Sequence, residues 1–390
     1  MSGCSGVNRR EFIKAASAGA ALLAAGYRLK EPVAGVEALR SQTGDIRMRV
    51  LEHAVFAPSS HNTQPWLVEL TAKGMKLFVD RSRLLPAADP KARQAHISQG
   101  TFLEMLEIAA RQFGYRADLT YFPAGEYAAD AVEDRPVAAI ALRPDSAIVP
   151  DPLFAAIPTR QTNRRPYQRT RPPSVVELAA IRSALRSDAI DWRITGKEAQ
   201  RQAVAGICGE AMAIEVSNEA RNREMAKWFR FSDHELREKR DGFGMAQGGT
   251  EGMKRWIAET FVLTHALAAS PAGAFAQGAI AQAREQTAST PLFAALATVG
   301  NSRLDQLLAG RAYARVHLAA TSQGLAMQPM SQAEEEYAEM DDLRRRLKQA
   351  LQVTNGQTVQ MLFRLGHARP TTSAPRREPA ALIRRQEAVF

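Results

Sequence analysis

The alternation of apolar and polar positions divides the chain into two stretches of similar plan. In the first, Ile46, Val50, Leu51, Ala54 and Val55 recur at helical spacing. The helix they predict runs into Ser59-Ser60-His61-Asn62-Thr63-Gln64, a polar run bracketed by Pro58 and Pro65. Each proline disfavours helical geometry at the residue before it, so the run reads as a fixed turn lined with hydrogen-bonding groups. After Trp66 the pattern is that of a β-hairpin, 67–70 and 75–79, with its turn at Gly74. A helix is predicted over 97–113, carrying Phe102, Leu106, Ala109 and Phe113 on one face and stopped by Gly114, and strands over 115–121 and 136–142.

The stretch 143–158 contains four prolines and marks a boundary between halves. Beyond it the spacing predicts helices over 175–185 and 197–216 with a strand at 191–194 between them. Residues 221–298 read as helical throughout, broken by Gly242, Gly244, Gly248, Gly249, Gly252, Pro271 and Gly273, and suggest an inserted segment with a flexible waist. A long helix from Asn301 past Gly310 to Gln323, stopped by Gly324, and a strand over 359–365 complete the pattern. Gly100 and Gly114 stand at the same interval as Gly310 and Gly324, with Ala109-Ala110 and Ala319-Ala320 at the same offset, which points to a duplication.

The N-terminus changes the domain picture. Asn8-Arg9-Arg10-Glu11-Phe12-Ile13-Lys14 precedes an apolar run over 15–26. That run is shorter than the roughly 20 apolar residues a membrane span needs, so no stable span is expected. It resembles a twin-arginine export signal. Residues 1–38 are therefore set apart, with cleavage near Ala24-Ala25-Gly26 or Val36-Glu37-Ala38. The expectation is a periplasmic or otherwise exported protein that meets the twin-arginine translocation machinery and folds around a cofactor first. The remaining chain divides into 39–150 and 151–390, the second half carrying the insertion at 221–298 as a lid.

Charge and cysteine content narrow the chemistry. Of the two cysteines Cys4 lies in the signal region, leaving Cys208 in an alanine-rich helical stretch as a core residue, with neither a disulfide nor a cysteine metal cluster available. Lysine and arginine exceed the acids by 51 − 41 = 10. Five arginines and no acid fall within 160–171, and Arg376, Arg377, Arg384 and Arg385 load the tail. No nucleic-acid module accompanies them, so nucleic acid is not the expected partner. Arginine forks suit phosphate. Neutral hydrogen-bonders at 59–64 and arginines at 160–165 and 376–377 together suit a ligand with a phosphate at one end and a polar ring at the other.

These residues resemble the nitroreductase flavoproteins. Pro58-Ser59-Ser60-His61-Asn62-Thr63-Gln64-Pro65-Trp66 is similar to that family's PSSxNxQPW segment, and Arg160-Gln161-Thr162-Asn163-Arg164 to its flavin-binding Arg-x-Ser/Thr-x-Arg/Lys segment. Gly324-Leu325 with Gln328-Pro329-Met330-Ser331 resembles the helix-to-strand edge on which its flavin rests. Within the family the chain is most similar to the Acg-like branch, in which one chain holds both halves of what is ordinarily a homodimer.

The resemblance implies an α+β nitroreductase-like fold arranged as an intrachain pseudo-dimer, monomeric or weakly oligomeric. Only one PSSxNxQ loop is present, so it implies one FMN per chain. Electrons would pass from NAD(P)H through flavin N5 to a nitroaromatic, quinone or similar small-molecule acceptor, without a catalytic side chain or metal; His61 is a weak candidate acid. Carried over by position, the cofactor-binding residues are Pro58, Ser59, Ser60, Asn62, Gln64, Arg160, Gln161, Thr162, Arg164, Pro329, Met330, Ser331, Arg376 and Arg377. The alternative is a non-catalytic protein that sequesters FMN beneath the lid.

Overall fold

The architecture follows from one supersecondary plan used twice. A computed structural model describes residues 44–250 and 273–384. The twin-arginine segment, part of the expected lid and Arg385 lie outside these residues. In the first half, helix α1 (Ile46–Ala54) is capped by the Asp45 carboxylate, which accepts from the Arg47 N–H. It is followed by strands β1 (Trp66–Thr71) and β2 (Gly74–Val79), helix α2 (Arg93–Gln112), and strands β3 (Tyr115–Tyr121) and β4 (Ala138–Pro144). The second half opens with α3 (Val175–Ser183), started by a capping box between Ser174 and Glu177. Next come β5 (Asp191–Ile194), α4 (Glu198–Ser217), α5 (Glu219–Trp228), α6 (Asp233–Lys239), α7 (Ala274–Ala288) and β6 (Leu292–Val299). Helix α8 (Arg303–Ser322), β7 (Ala326–Pro329), α9 (Asp341–Ala350) and β8 (Gln357–Gly366) complete it.

The two antiparallel sheets have the orders β1-β2-β4-β3 and β5-β6-β8-β7, the same permutation twice. The fold is thus α+β with two related halves. Helices α2 and α8 take equivalent places, and both end at a glycine with positive φ, Gly114 at 77° and Gly324 at 69°. One core cluster joins the two helices to both sheets, and a second packs α4 and α9 on β6 and β8 around the buried Cys208.

Two expectations need correction. Residues 292–298 were expected to be helical, yet they form β6, the strand paired to both β5 and β8. Seven of its eight residues are buried, so the two-residue alternation that marks a half-exposed strand is missing. Among the described residues, the helices without a counterpart in the first half are α9, between β7 and β8, and α4 to α7, which separate β5 from β6 where Ala72-Lys73 alone separate β1 from β2. Gly74, in turn, is the first residue of β2 rather than the turn itself. A β-carbon there would lie 1.9 Å from the Ile140 carbonyl oxygen on β4, so the glycine permits close strand approach.

Candidate functional site

The polar loop is built by α2. Thr101 Oγ1 donates to the Pro58 carbonyl (2.7 Å), Gln99 Nε2 to the Pro65 carbonyl (2.7 Å), and Trp66 Nε1 to the Ser98 carbonyl (3.0 Å). The Trp66 ring is fully buried against Phe102, with centroids 5.0 Å apart. Held at both prolines, the loop crosses the gap with His61, Asn62 and Gln64 at φ of 48°, 52° and 52°. Asparagine and histidine enter this left-handed region more readily than most side chains; glutamine rarely does. Backbone held there is characteristic of binding sites, where the surroundings maintain a conformation the chain alone would leave.

Three distant segments close on this loop. Residues 162–163 run parallel to β7, with Thr162 bridged to Met327 and the Asn163 N–H donating to the Met327 carbonyl (3.0 Å). The tail after β8 returns over both halves: Asn163 Nδ2 donates to the Arg369 carbonyl (2.7 Å), Gln161 Nε2 to Ser373 Oγ (2.6 Å) and Asn62 Nδ2 to the Pro375 carbonyl (3.0 Å). From the insertion, the Gly242 N–H donates to the Asn62 carbonyl (3.2 Å), and Asn62 Nδ2 donates to the Gly242 carbonyl (2.9 Å). Gln247 Nε2 donates to the Ser373 carbonyl (3.1 Å).

Together they enclose a narrow cavity of about 70 Å³, below the roughly 300–1,000 Å³ of small-molecule sites, so a ligand of that size would have to displace lining side chains. Of the expected cofactor residues, Pro58, Ser59, Asn62, Arg160, Gln161, Thr162, Arg164 and Arg376 line it. His61, Phe243 and Gln247 also do so. A wider hollow is bounded by Arg47, Lys73 and Arg143, with the buried Leu142 in its wall.

The other expected residues are used elsewhere. The Ser60 hydroxyl donates to Gln94, whose amide donates to Glu335. Gln64 is fully buried and fastens the tail: its Oε1 accepts from the Arg377 N–H (2.8 Å), its carbonyl from Arg377 Nη1 (3.1 Å), and its Nε2 donates to the Arg240 carbonyl (2.9 Å). Arg377 is thus occupied with the backbone of the loop's exit. Pro329 pairs with Phe363 on β8, Met330 is buried in the second core cluster, and Ser331 starts a short 3₁₀ turn. None of these six lines the cavity.

The electrostatics are one-sided. Arg160, Arg164 and Arg376 face the cavity, and among the described residues none is paired with a carboxylate. Burial brings Arg160 down to about 10. Burial, with Arg160 adding to it, brings Arg376 down to about 9, and burial also lowers Arg164. All three remain cationic at neutral pH. Unpaired charges held away from water cost several kcal/mol unless a counter-charge is supplied. Arg160 Nε, Arg376 Nε, His61 Nδ1 and Asn62 Oδ1 are buried without a hydrogen-bond partner, so a ligand offering acceptors to the arginines and a mixed polar edge to the loop fits the residues present. Burial, followed by the nearby Arg164, pushes His61 down to about 4, which leaves it neutral.

Reasoning from sequence missed His317 and Tyr313, both buried on α8 behind the arginines. Tyr313 and His317 stand three and seven residues after Gly310, on a helix that the spacing predicts but whose small residues alone drew notice.

No protein-family model matches the chain. It is 29% identical over 345 residues to a Mycobacterium tuberculosis protein provisionally named an NAD(P)H nitroreductase, covering 86% of this chain and 90% of that one. A Serratia protein provisionally named NAD(P)H nitroreductase PigM is 26% identical over 197 residues, 49% of this chain and 52% of that one. The M. tuberculosis protein acg is 33% identical over 81 residues, 21% of this chain and 24% of that one. Among solved structures, an FMN-bound nitroreductase of Desulfitobacterium hafniense matches at 15% identity and TM-score 0.37, covering 61% of this chain and all (100%) of that one. A nitroreductase-like protein of Bacillus cereus matches at 12% identity and TM-score 0.33, over 60% and 94% of the two chains. The similarity to the first of these M. tuberculosis proteins extends over most of the chain's length.

Proposed function

We propose that the protein is an FMN-dependent oxidoreductase of the nitroreductase type, of the Acg-like single-chain branch, that takes electrons from NAD(P)H and passes them to a small acceptor such as a nitroaromatic or quinone. The observation that carries this reading is the cluster of Arg160, Arg164 and Arg376 around one cavity without a carboxylate, facing a neutral hydrogen-bonding loop. Arg160, Thr162 and Arg376 would hold the phosphate, and Arg164 would sit at the pyrimidine edge, where a cation favours the reduced, anionic ring. Pro58, Ser59, His61 and Asn62 would border the ring. FMN supplies the hydride chemistry when bound, and the chain supplies position, charge and exclusion of water. The twin-arginine segment motivates export to the periplasm as part of the same proposal.

A second reading is favoured by one specific observation. Phe243 and Gln247, from the insertion, share the cavity wall; the Phe243 ring lies 5.7 Å from His61 and 5.2 Å from the Arg164 guanidinium. A cover of this kind suits a protein that keeps FMN from solvent without turnover. The visible spectrum of the purified chain, followed on anaerobic addition of NADPH or NADH, separates the two. A bound flavin that bleaches supports the enzyme, one that persists supports sequestration, and absence of flavin binding would sink both.

A further inference from the structure

The histidine on α8 bears on how the arginine segment reads an anion. His317 is 1% exposed, and its imidazole engages two successive residues of that segment: Nε2 lies 3.1 Å from the Gln161 carbonyl oxygen and Nδ1 lies 3.4 Å from Arg160 Nη1. A carbonyl only accepts, so Nε2 carries the hydrogen; Nδ1 then offers its lone pair to the guanidinium. Only this neutral tautomer satisfies both contacts. Burial, followed by the charge of Arg160, holds His317 well below the ordinary histidine range. Its remaining polar neighbour is Tyr313, one turn earlier on α8, with ring centroids 5.6 Å apart. Among the described residues no carboxylate pairs with it. The other terminal nitrogen of Arg160 donates to the Phe56 carbonyl (3.1 Å), just beyond α1. Arg160 is therefore aimed by one neutral acceptor from each half.

The duplication shows what the alternative would be. The interval that relates Gly100 to Gly310 relates Glu107 to His317. In the first half Glu107 is an ion-pair partner of Arg311. A carboxylate at 317 would likewise neutralise Arg160, whereas imidazole orients the guanidinium and leaves its charge unspent.

Resting on the FMN reading above, we propose that His317 is the positioning residue of the phosphate site, a neutral acceptor that orients Arg160 while reserving its charge for the ligand. The test compares His317→Leu, His317→Asn and His317→Asp in the full chain, titrating each with FMN and with riboflavin, which lacks the phosphate. The Asn variant can present an amide oxygen near the Nδ1 position and should keep most of the preference for FMN. Loss of a hydrogen bond to a charged group corresponds to about tenfold or more in affinity, so the Leu variant should lose about that much for FMN and little for riboflavin. The Asp variant should lose the preference as well, because its carboxylate takes the charge. A merely structural role would weaken both flavins together. An unchanged FMN-to-riboflavin ratio in the Leu variant, or equal ratios in the Asp and Asn variants, overturns the proposal. Should His317→Leu not fold, the Asp and Asn comparison still decides. If the wild-type chain binds neither flavin, the FMN reading fails. The same variants are then scored by the melting shift that inorganic phosphate produces, and an Asp variant that responds like the Asn variant overturns the role of His317.

Discussion

Gly100 on α2 and Gly310 on α8 occupy equivalent places at the helix crossing: a β-carbon on Gly100 would lie 1.9 Å from the Leu307 carbonyl oxygen, and one on Gly310 would lie 1.9 Å from the Ile97 carbonyl oxygen. Each glycine thus packs on the carbonyl three residues before the other. This contact fixes α2, which holds the polar loop, against α8, which carries His317.

Substituting either glycine by alanine should destabilise the protein. Alanine gains about 1 kcal/mol in helix propensity, but the overlap is with backbone, which cannot turn aside as a side chain can, and overpacking of this kind costs about 1–3 kcal/mol or more. Gly206→Ala within α4, where a β-carbon would meet nothing within 4 Å, should instead be neutral or stabilising. Thermal melts of the three variants check this ordering.

Asn62→Ala removes the side-chain bonds to the Gly242 and Pro375 carbonyls and places alanine at a φ of 52°. The expected cost is about 1–3 kcal/mol. Amide hydrogen exchange should quicken at 242–249 and 372–377 in this variant, while the α2–α8 core keeps its protection.

Phe243→Ala should speed FMN release, measured by stopped-flow fluorescence. The ring forms part of the cavity wall beside His61 and Arg164. Removing it leaves the arginine contacts in place, so affinity should fall mainly through the off-rate.

Stability should fall on both sides of a slightly acidic optimum. Burial, with Arg164 secondary, brings His61 down to about 4, and burial, with Arg303 secondary, brings His96 down to about 3. Each is neutral when folded and protonates when unfolded below about 6.5, so stability is lost as pH falls from there toward the folded values. Burial raises Glu334 to about 8, against a partial offset from Arg93. Its carboxyl stays protonated when folded and ionises when unfolded from about 4.3 upward, so its contribution is lost as pH rises from there to about 8. Glu334→Gln should flatten the alkaline limb by up to about 1.4 kcal/mol per pH unit, read from denaturant midpoints across pH.

Much of this was legible from local signals. The proline-bracketed loop, both long helices and their stop glycines depend on short-range chemistry, and the matching intervals around Gly100 and Gly310 foreshadowed the crossing. Strand β6 was not legible, because Leu292-Phe293-Ala294-Ala295-Leu296-Ala297-Thr298 is buried on both faces and shows no alternation. Nor could local pattern reveal that Gln64 and Arg377, 313 positions apart, serve each other. Both are polar residues beside a binding segment, and only the return of the tail shows that one fastens the other.

The central claim is that the cavity selects FMN through its phosphate. Calorimetric titration of the full chain with FMN and with riboflavin, repeated on Arg160→Ala, tests it most directly. The expected result is one FMN per chain, bound at least tenfold more tightly than riboflavin, with that preference largely lost in Arg160→Ala. Equal affinity for the two flavins in the wild-type chain, or an Arg160→Ala variant that keeps the preference, would contradict it.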